Sequence, residues 1–255
     1  MTTPPWLRGA RAAAIFLTRV PIGGFPFSRE DWRWSSAYFP FVGILLGAAQ
    51  AAVFKLSAGA GPHVAATLAV IASLLLTGAF HEDGLADTAD ALGGAYTRDR
   101  IFEILKDSRV GSFGASALVV VLVLRILLLA RLDASAPWAL LATQGASRVP
   151  PIWLMVAMPY VSGDADAKSK LVTRAGFAQA ALATLFGTLP VVVALHGMGL
   201  GLQHIATVTL TSVSVTAICG WRFHVRAGGI TGDFLGATQQ VAECALLLTL
   251  VQLRP

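Results

Sequence analysis

The sequence predicts an all-α fold, a polytopic membrane bundle of about seven transmembrane helices with a cytoplasmic N-terminus, and three observations predict it. Of 255 residues, 55% are hydrophobic and only 13% charged, whereas an ordinary soluble domain is about a quarter charged. Mean hydropathy is +0.68. Largely apolar runs of roughly 18 to 22 residues recur along the chain, each long enough to cross a hydrocarbon core of about 30 Å as a helix. Charged residues gather in alternate segments between those runs. Only helices or closed barrels satisfy their backbone in lipid, and these runs are too long for barrel strands.

Taken in order, Arg8 and Arg11 precede the apolar stretch Ala12 to Leu17, which is shorter than a signal-peptide core and is interrupted by Arg19, so it is expected to be retained. Spans follow at about 37–56, 64–80, 114–132, 138–159, 177–195, 203–221 and 236–253. Gly43 and Gly47 form a GxxxG pair in the first, suited to close helix packing. Gly59, Gly61 and Pro62 make the turn into the second. Arg125 and Arg148 fall inside spans, where a charge is costly and faces a partner or a polar cavity. Arg125 reads as structural. Arg148, in Gln144-Gly145-Ala146-Ser147-Arg148 ahead of Pro150 and Pro151, reads either as lining a site or as paired within the bundle. Glu243, inside the last span, raises the same question. Cys219 and Cys244 both sit in apolar runs and read as buried free thiols.

With the N-terminus cytoplasmic, the basic residues from Arg8 to Arg33, Arg98 to Arg109, Lys168 to Arg174 and Arg222 to Arg226 fall inside. Only Lys55, Arg131 and Arg254 fall outside. That split obeys the positive-inside rule. The net charge of +5 therefore reports orientation, and no nucleic-acid partner is expected. No long repeat or separate soluble domain is visible, and residues 1–255 read as one integral membrane domain.

Carboxylates concentrate in Phe80-His81-Glu82-Asp83-Gly84-Leu85-Ala86-Asp87-Thr88-Ala89-Asp90, directly after the second run. At about 100° per residue, Asp83, Asp87 and Asp90 fall within roughly 60° of one another on a helix. Three like charges on one face repel, and a divalent cation would resolve the conflict. Gly93 and Gly94 end that helix, and Thr97 is placed to cap another, on which Glu103 and Asp107 project together four residues apart. Oxygen-only ligands suit Mg²⁺ better than Zn²⁺. The competing reading is a solvated loop with salt bridges to Arg98, Arg100, Lys106 and Arg109. His81-Glu82 is not an HExxH zinc motif, because Leu85 stands where the second histidine would be, and no GxxxxGK[ST] loop occurs. His81 reads as a substrate ligand or as an interface residue.

Phosphate needs positive charge and backbone donors. A second segment offers both in Arg222 to Arg226, followed by Gly228-Gly229-Ile230-Thr231-Gly232-Asp233-Phe234-Leu235-Gly236. Glycines permit close backbone approach, and the following helix contributes an N-terminus. Asp233 can cap that helix, bind metal or hold a substrate hydroxyl.

These blocks, with Thr18-Arg19-Val20-Pro21 and with Asp99-Arg100 and Glu103 through Gly111, resemble the cobalamin synthases, also called adenosylcobinamide-GDP ribazoletransferases. The resemblance implies an enzyme of the bacterial inner membrane that requires Mg²⁺ and works on the cytoplasmic side. A hydroxyl of α-ribazole, or of its 5′-phosphate, would attack the phosphorus attached to cobinamide in adenosylcobinamide-GDP, giving adenosylcobalamin or its phosphate and releasing GMP. A more distant similarity is to the CDP-alcohol phosphotransferases, whose paired acidic helices match Asp87 and Asp90, then Glu103 and Asp107. Here Ala91 replaces a glycine, Glu103 replaces an aspartate, and the gap between the pairs is shorter.

The expected metal ligands are Asp83, Asp87, Asp90, Glu103 and Asp107. Asp87 and Asp107 are the catalytic carboxylates, with Asp107 as the base that accepts the incoming hydroxyl's proton. His81, Arg100, Arg109, Arg148 and Arg226 are expected to hold substrate, together with Gly229, Thr231, Gly232 and Asp233. Lipid surrounds the protein, and self-association or assembly with other pathway enzymes is open. Two other readings compete: a CDP-alcohol phosphotransferase or prenyltransferase-like membrane enzyme, and a corrinoid permease.

Overall fold

The computed structural model describes residues 4–24, 27–161 and 174–254, and Lys168 and Lys170, counted above as inside charges, lie outside these. The described residues are helical, apart from loops and one isolated parallel bridge between Tyr160 and Ile230. The helices are α1 (Pro5–Leu17), α2 (Arg29–Ser35), α3 (Phe39–Leu56), α4 (Pro62–Thr77), α5 (Phe80–Gly94), α6 (Arg98–Ile104), α7 (Ser112–Leu132), α8 (Ala136–Ala146), α9 (Val149–Ala157), α10 (Phe177–Gly197), α11 (Ile205–Ala227) and α12 (Gly232–Leu253).

Among the described residues, five stretches are long and apolar enough to cross a membrane, and six if α4 and α5 count as one broken span. The expected count of seven is not reproduced: the runs at about 114–132 and 138–159 fall, but for the last two residues, in the single stretch Ser112–Ala157 of 46 residues. At 1.5 Å per residue it would be about 69 Å long if straight, twice a bilayer core. It is not straight. The chain turns at Asp133 (φ 47°), and Arg125 before the turn and Gln144 after it both reach Glu243. Large side chains such as Leu75, Val119, Leu185 and Leu210 are exposed, as lipid-facing surfaces require.

α3 packs on α8, and α5 on α12. Gly43 and Gly47 make the first contact: a Cβ on Gly47 would lie 2.5 Å from the Leu140 carbonyl, and one on Gly43 would strike that of Gln144. The expected glycine packing is thus realised, and its partner is α8.

The second expected run ends early. Gly78 (φ 67°) and Ala79 (φ 55°) both adopt the left-handed conformation, which for alanine costs about 1–2 kcal/mol. α5 therefore leaves α4 at 90°. Two apolar clusters form the core, with a polar layer between them. Along α12, Phe234 and Leu235 belong to one cluster and Leu246, Leu247 and Leu250 to the other. Gln239, Gln240 and Glu243, all buried, separate them.

Candidate functional site

The broken span sets α5 against α7 and α12. Its contact with α12 depends on Gly84, where a Cβ would meet the carbonyl oxygen of Asp233 at 2.9 Å and its Cα at 3.1 Å. The second segment's aspartate is thereby brought to the acidic helix: Asp87 lies within electrostatic reach of Asp83, Asp233 and Asp90. Thr231, not Asp233, caps α12, its hydroxyl accepting from the Phe234 amide at 3.2 Å. Asp233 is left available for chemistry, with Thr231 and its own backbone as its polar neighbours.

The remaining expected acids have other partners. Asp90 accepts from the amides of Gly111 at 2.7 Å and Gly114 at 2.8 Å, holding the first turn of α7 and satisfying donors that a helix start leaves open. Glu103 pairs with Arg100 at 2.8 Å on the surface. Asp107 pairs with Arg109 at 2.6 Å, and the Arg109 hydrogen bonds hold its carboxyl down at about 2, which makes it a weak proton acceptor near neutral pH. The face of α6 that meets the rest of the protein is apolar, with Ile101 buried alongside Ala91 and Ala95. The two acid pairs expected to face each other thus stand apart.

Several expected substrate ligands also serve the fold. Arg226 donates to the carbonyls of Leu92, at 3.1 Å, and Ala95, capping the C-terminal end of α5. At Gly229 a Cβ would strike the Pro159 carbonyl, and the neighbouring Ile230 amide donates to that same carbonyl at 2.9 Å. The close approach that this glycine permits is to protein. Gly232 is the first residue of α12.

Arg148 and His81 belong to the buried layer. Arg148 donates to the Gln144 side chain at 3.1 Å, and the His81 ring meets Phe80 edge-on at 5.3 Å. Arg125 anchors this layer, 2.8 Å from Glu82 on α5 and 2.9 Å from Glu243 on α12. Gln240 donates to Glu82 at 3.1 Å, and Gln144 and Gln239 donate to Glu243 at 2.7 and 3.0 Å. Reading the sequence left Glu82 without a role. Its signal was an acid about 80–100° off the face shared by Asp83 and Asp90, together with Arg125 and Glu243 at buried positions of later helices.

Asp83 and Asp87 have no hydrogen-bond or ion-pair partner among the described residues, and the charges within reach of Asp87 are other carboxylates. Crowded, cation-less oxygen donors have the chemistry that a hard divalent ion requires. As the side chains stand, no three acids among the described residues surround a common point, so binding would need their rotamers to turn inward.

A family model described as cobalamin-5-phosphate synthase matches residues 9–251. Among similar proteins, one from Polaromonas sp. (strain JS666) is 42% identical, with 93% of this chain and 94% of that protein covered. One from Shewanella piezotolerans is 40% identical over 92% of both, and one from Vibrio cholerae is 39% identical over 94% of this chain and 91% of its own. All three are named adenosylcobinamide-GDP ribazoletransferase. No solved structure matches the chain.

Proposed function

We infer that this chain, which belongs to the cobalamin-5-phosphate synthase family, is an adenosylcobinamide-GDP ribazoletransferase of cobalamin biosynthesis. The observation that carries the placement of its site is the approach of Asp233 to Asp83 and Asp87 across Gly84. The incoming hydroxyl of α-ribazole, or of its 5′-phosphate, forms a bond to the phosphorus joined to cobinamide. The phosphoanhydride bond breaks, GMP leaves with the electron pair, and the hydroxyl proton passes to a carboxylate. Asp87, central among the acids and free of partners, is the acceptor proposed here. Asp107, tied to Arg109, is better suited to remaining anionic.

Mg²⁺ is the ion that this oxygen-only set suits, held by Asp83, Asp87 and Asp233, and when bound it offsets charge on the diphosphate. Arg100, exposed and paired with Glu103 on the surface, is proposed to exchange that carboxylate for substrate phosphate, while Arg109 stays with Asp107. The site faces the cytoplasm of the bacterial inner membrane in this reading, because the arginines near it are those that the positive-inside rule keeps inside. The mid-span charges Glu82, Arg125 and Glu243 are buried and paired with one another, which suits a structural layer better than a permeation path. Purified protein given adenosylcobinamide-GDP and α-ribazole should release GMP with Mg²⁺ and stop with EDTA. Turnover of CDP-diacylglycerol with an alcohol instead would contradict the assignment.

A further inference from the structure

The acids of α5 differ in what they touch, and the difference follows their order along the helix. Glu82, at the deep end, is bound by Arg125 from α7 at 2.8 Å and by Gln240 from α12 at 3.1 Å. Asp90, at the other end, is bound by the Gly111 and Gly114 amides of α7. The two attachments are eight residues apart, about 12 Å along the helix axis. Between them lie Asp83 and Asp87, which have no such partner. The fit at Asp90 is close: a Cβ on Gly111 would lie 2.5 Å from its Oδ1. Just beyond it, Arg226 takes up the carbonyls of Leu92 and Ala95.

We propose that Glu82 and Asp90 are positioning residues that pin α5 to α7 at two points, and that Arg125 is the cation completing the deep pin, so that Asp83 and Asp87 are held facing Asp233. The division rests on the reading of Asp83, Asp87 and Asp233 as the reacting acids. It removes Asp90 from the metal set that the sequence suggests. It also accounts for a fully buried arginine inside a span: a guanidinium can reach carboxylates on two different helices at once, which a lysine's point charge does less well. α5 follows two consecutive left-handed residues, so no continuous helix fixes its direction from α4. The pins supply what the break removes.

The test compares amide and alanine variants at both pins with Asp87→Asn, using two readouts. One is Mn²⁺ binding by electron paramagnetic resonance, with no substrate present. The other is the split between kcat and KM for GMP release. Asparagine at 90 keeps one of the two acceptor oxygens, and glutamine at 82 keeps the Oε1 acceptor but not the charge, so each pin is weakened rather than removed: Asp90→Asn and Glu82→Gln should keep Mn²⁺ affinity within about three-fold of wild type and kcat above that of the alanine variants. Asp90→Ala and Glu82→Ala, which release α5, should lose about 100-fold in kcat and weaken Mn²⁺ several-fold, because Asp83 and Asp87 no longer face Asp233. Asp87→Asn should lose Mn²⁺ affinity by more than ten-fold.

Asp90→Asn weakening Mn²⁺ as much as Asp87→Asn does would make Asp90 a ligand and overturn the proposal. So would wild-type kcat in the alanine variants. Should an alanine variant fail to fold, the amide variants still decide. A wild-type protein that binds Mn²⁺ but releases no GMP would sink the proposed reaction, while Mn²⁺ affinity alone would still test the division of the acids.

Discussion

Arg125 and Glu243 meet at 2.9 Å with both side chains 1% exposed, an ion pair inside two membrane helices. Removing one partner strands a charge where the environment cannot solvate it, at a cost of about 3–5 kcal/mol. Arg125→Met should therefore lower the apparent melting temperature in detergent by about 10 °C. The double variant Glu82→Gln with Arg125→Met removes one charge of each sign, leaves Arg148 and Glu243 to balance each other, and should recover part of that loss. A single variant melting within about 2 °C of wild type would show the pair to be solvated.

Gly84 sets the spacing between α5 and α12. Because its neighbour is backbone, at 2.9 Å from the position of a Cβ, alanine there must push Asp233 away from the acidic helix. GMP release should fall at least ten-fold. Gly59→Ala, with nothing within 4 Å, is the matched control and should change neither activity nor stability.

Gly229 separates a structural glycine from a phosphate cradle. Its missing side chain accommodates the Pro159 carbonyl, so Gly229→Val should lower the melting temperature while the folded fraction keeps a normal KM for adenosylcobinamide-GDP. A raised KM at unchanged stability would restore the cradle reading.

Much of this organisation is legible in the sequence. The spans follow from run length, and the helical phase of Asp83, Asp87 and Asp90 follows from a period of 3.6 residues. Two things are not legible. The corner at Gly78 and Ala79 depends on an alanine in a left-handed conformation that no composition rule anticipates. Which acid has a partner is also hidden, because the partners are distant in sequence: the Gly111 and Gly114 amides for Asp90, and Arg125 for Glu82. Local patterning groups Asp90 with its neighbours, whereas tertiary contact assigns it to α7. The same limit applies to Asp233, which as an isolated residue reads equally well as a cap. Only the placement of Thr231 as the cap frees it.

The most direct measurement of the central claim is GMP release by Asp233→Asn, given adenosylcobinamide-GDP and α-ribazole. Asparagine keeps the size and hydrogen-bonding shape of the side chain, and Thr231 rather than Asp233 caps α12, so folding and melting temperature should stay at wild-type values. If Asp233 acts together with Asp83 and Asp87, kcat should fall about 100-fold or more. GMP release within about two-fold of wild type would contradict the account, because the approach of α12 to the acidic helix would then be packing alone.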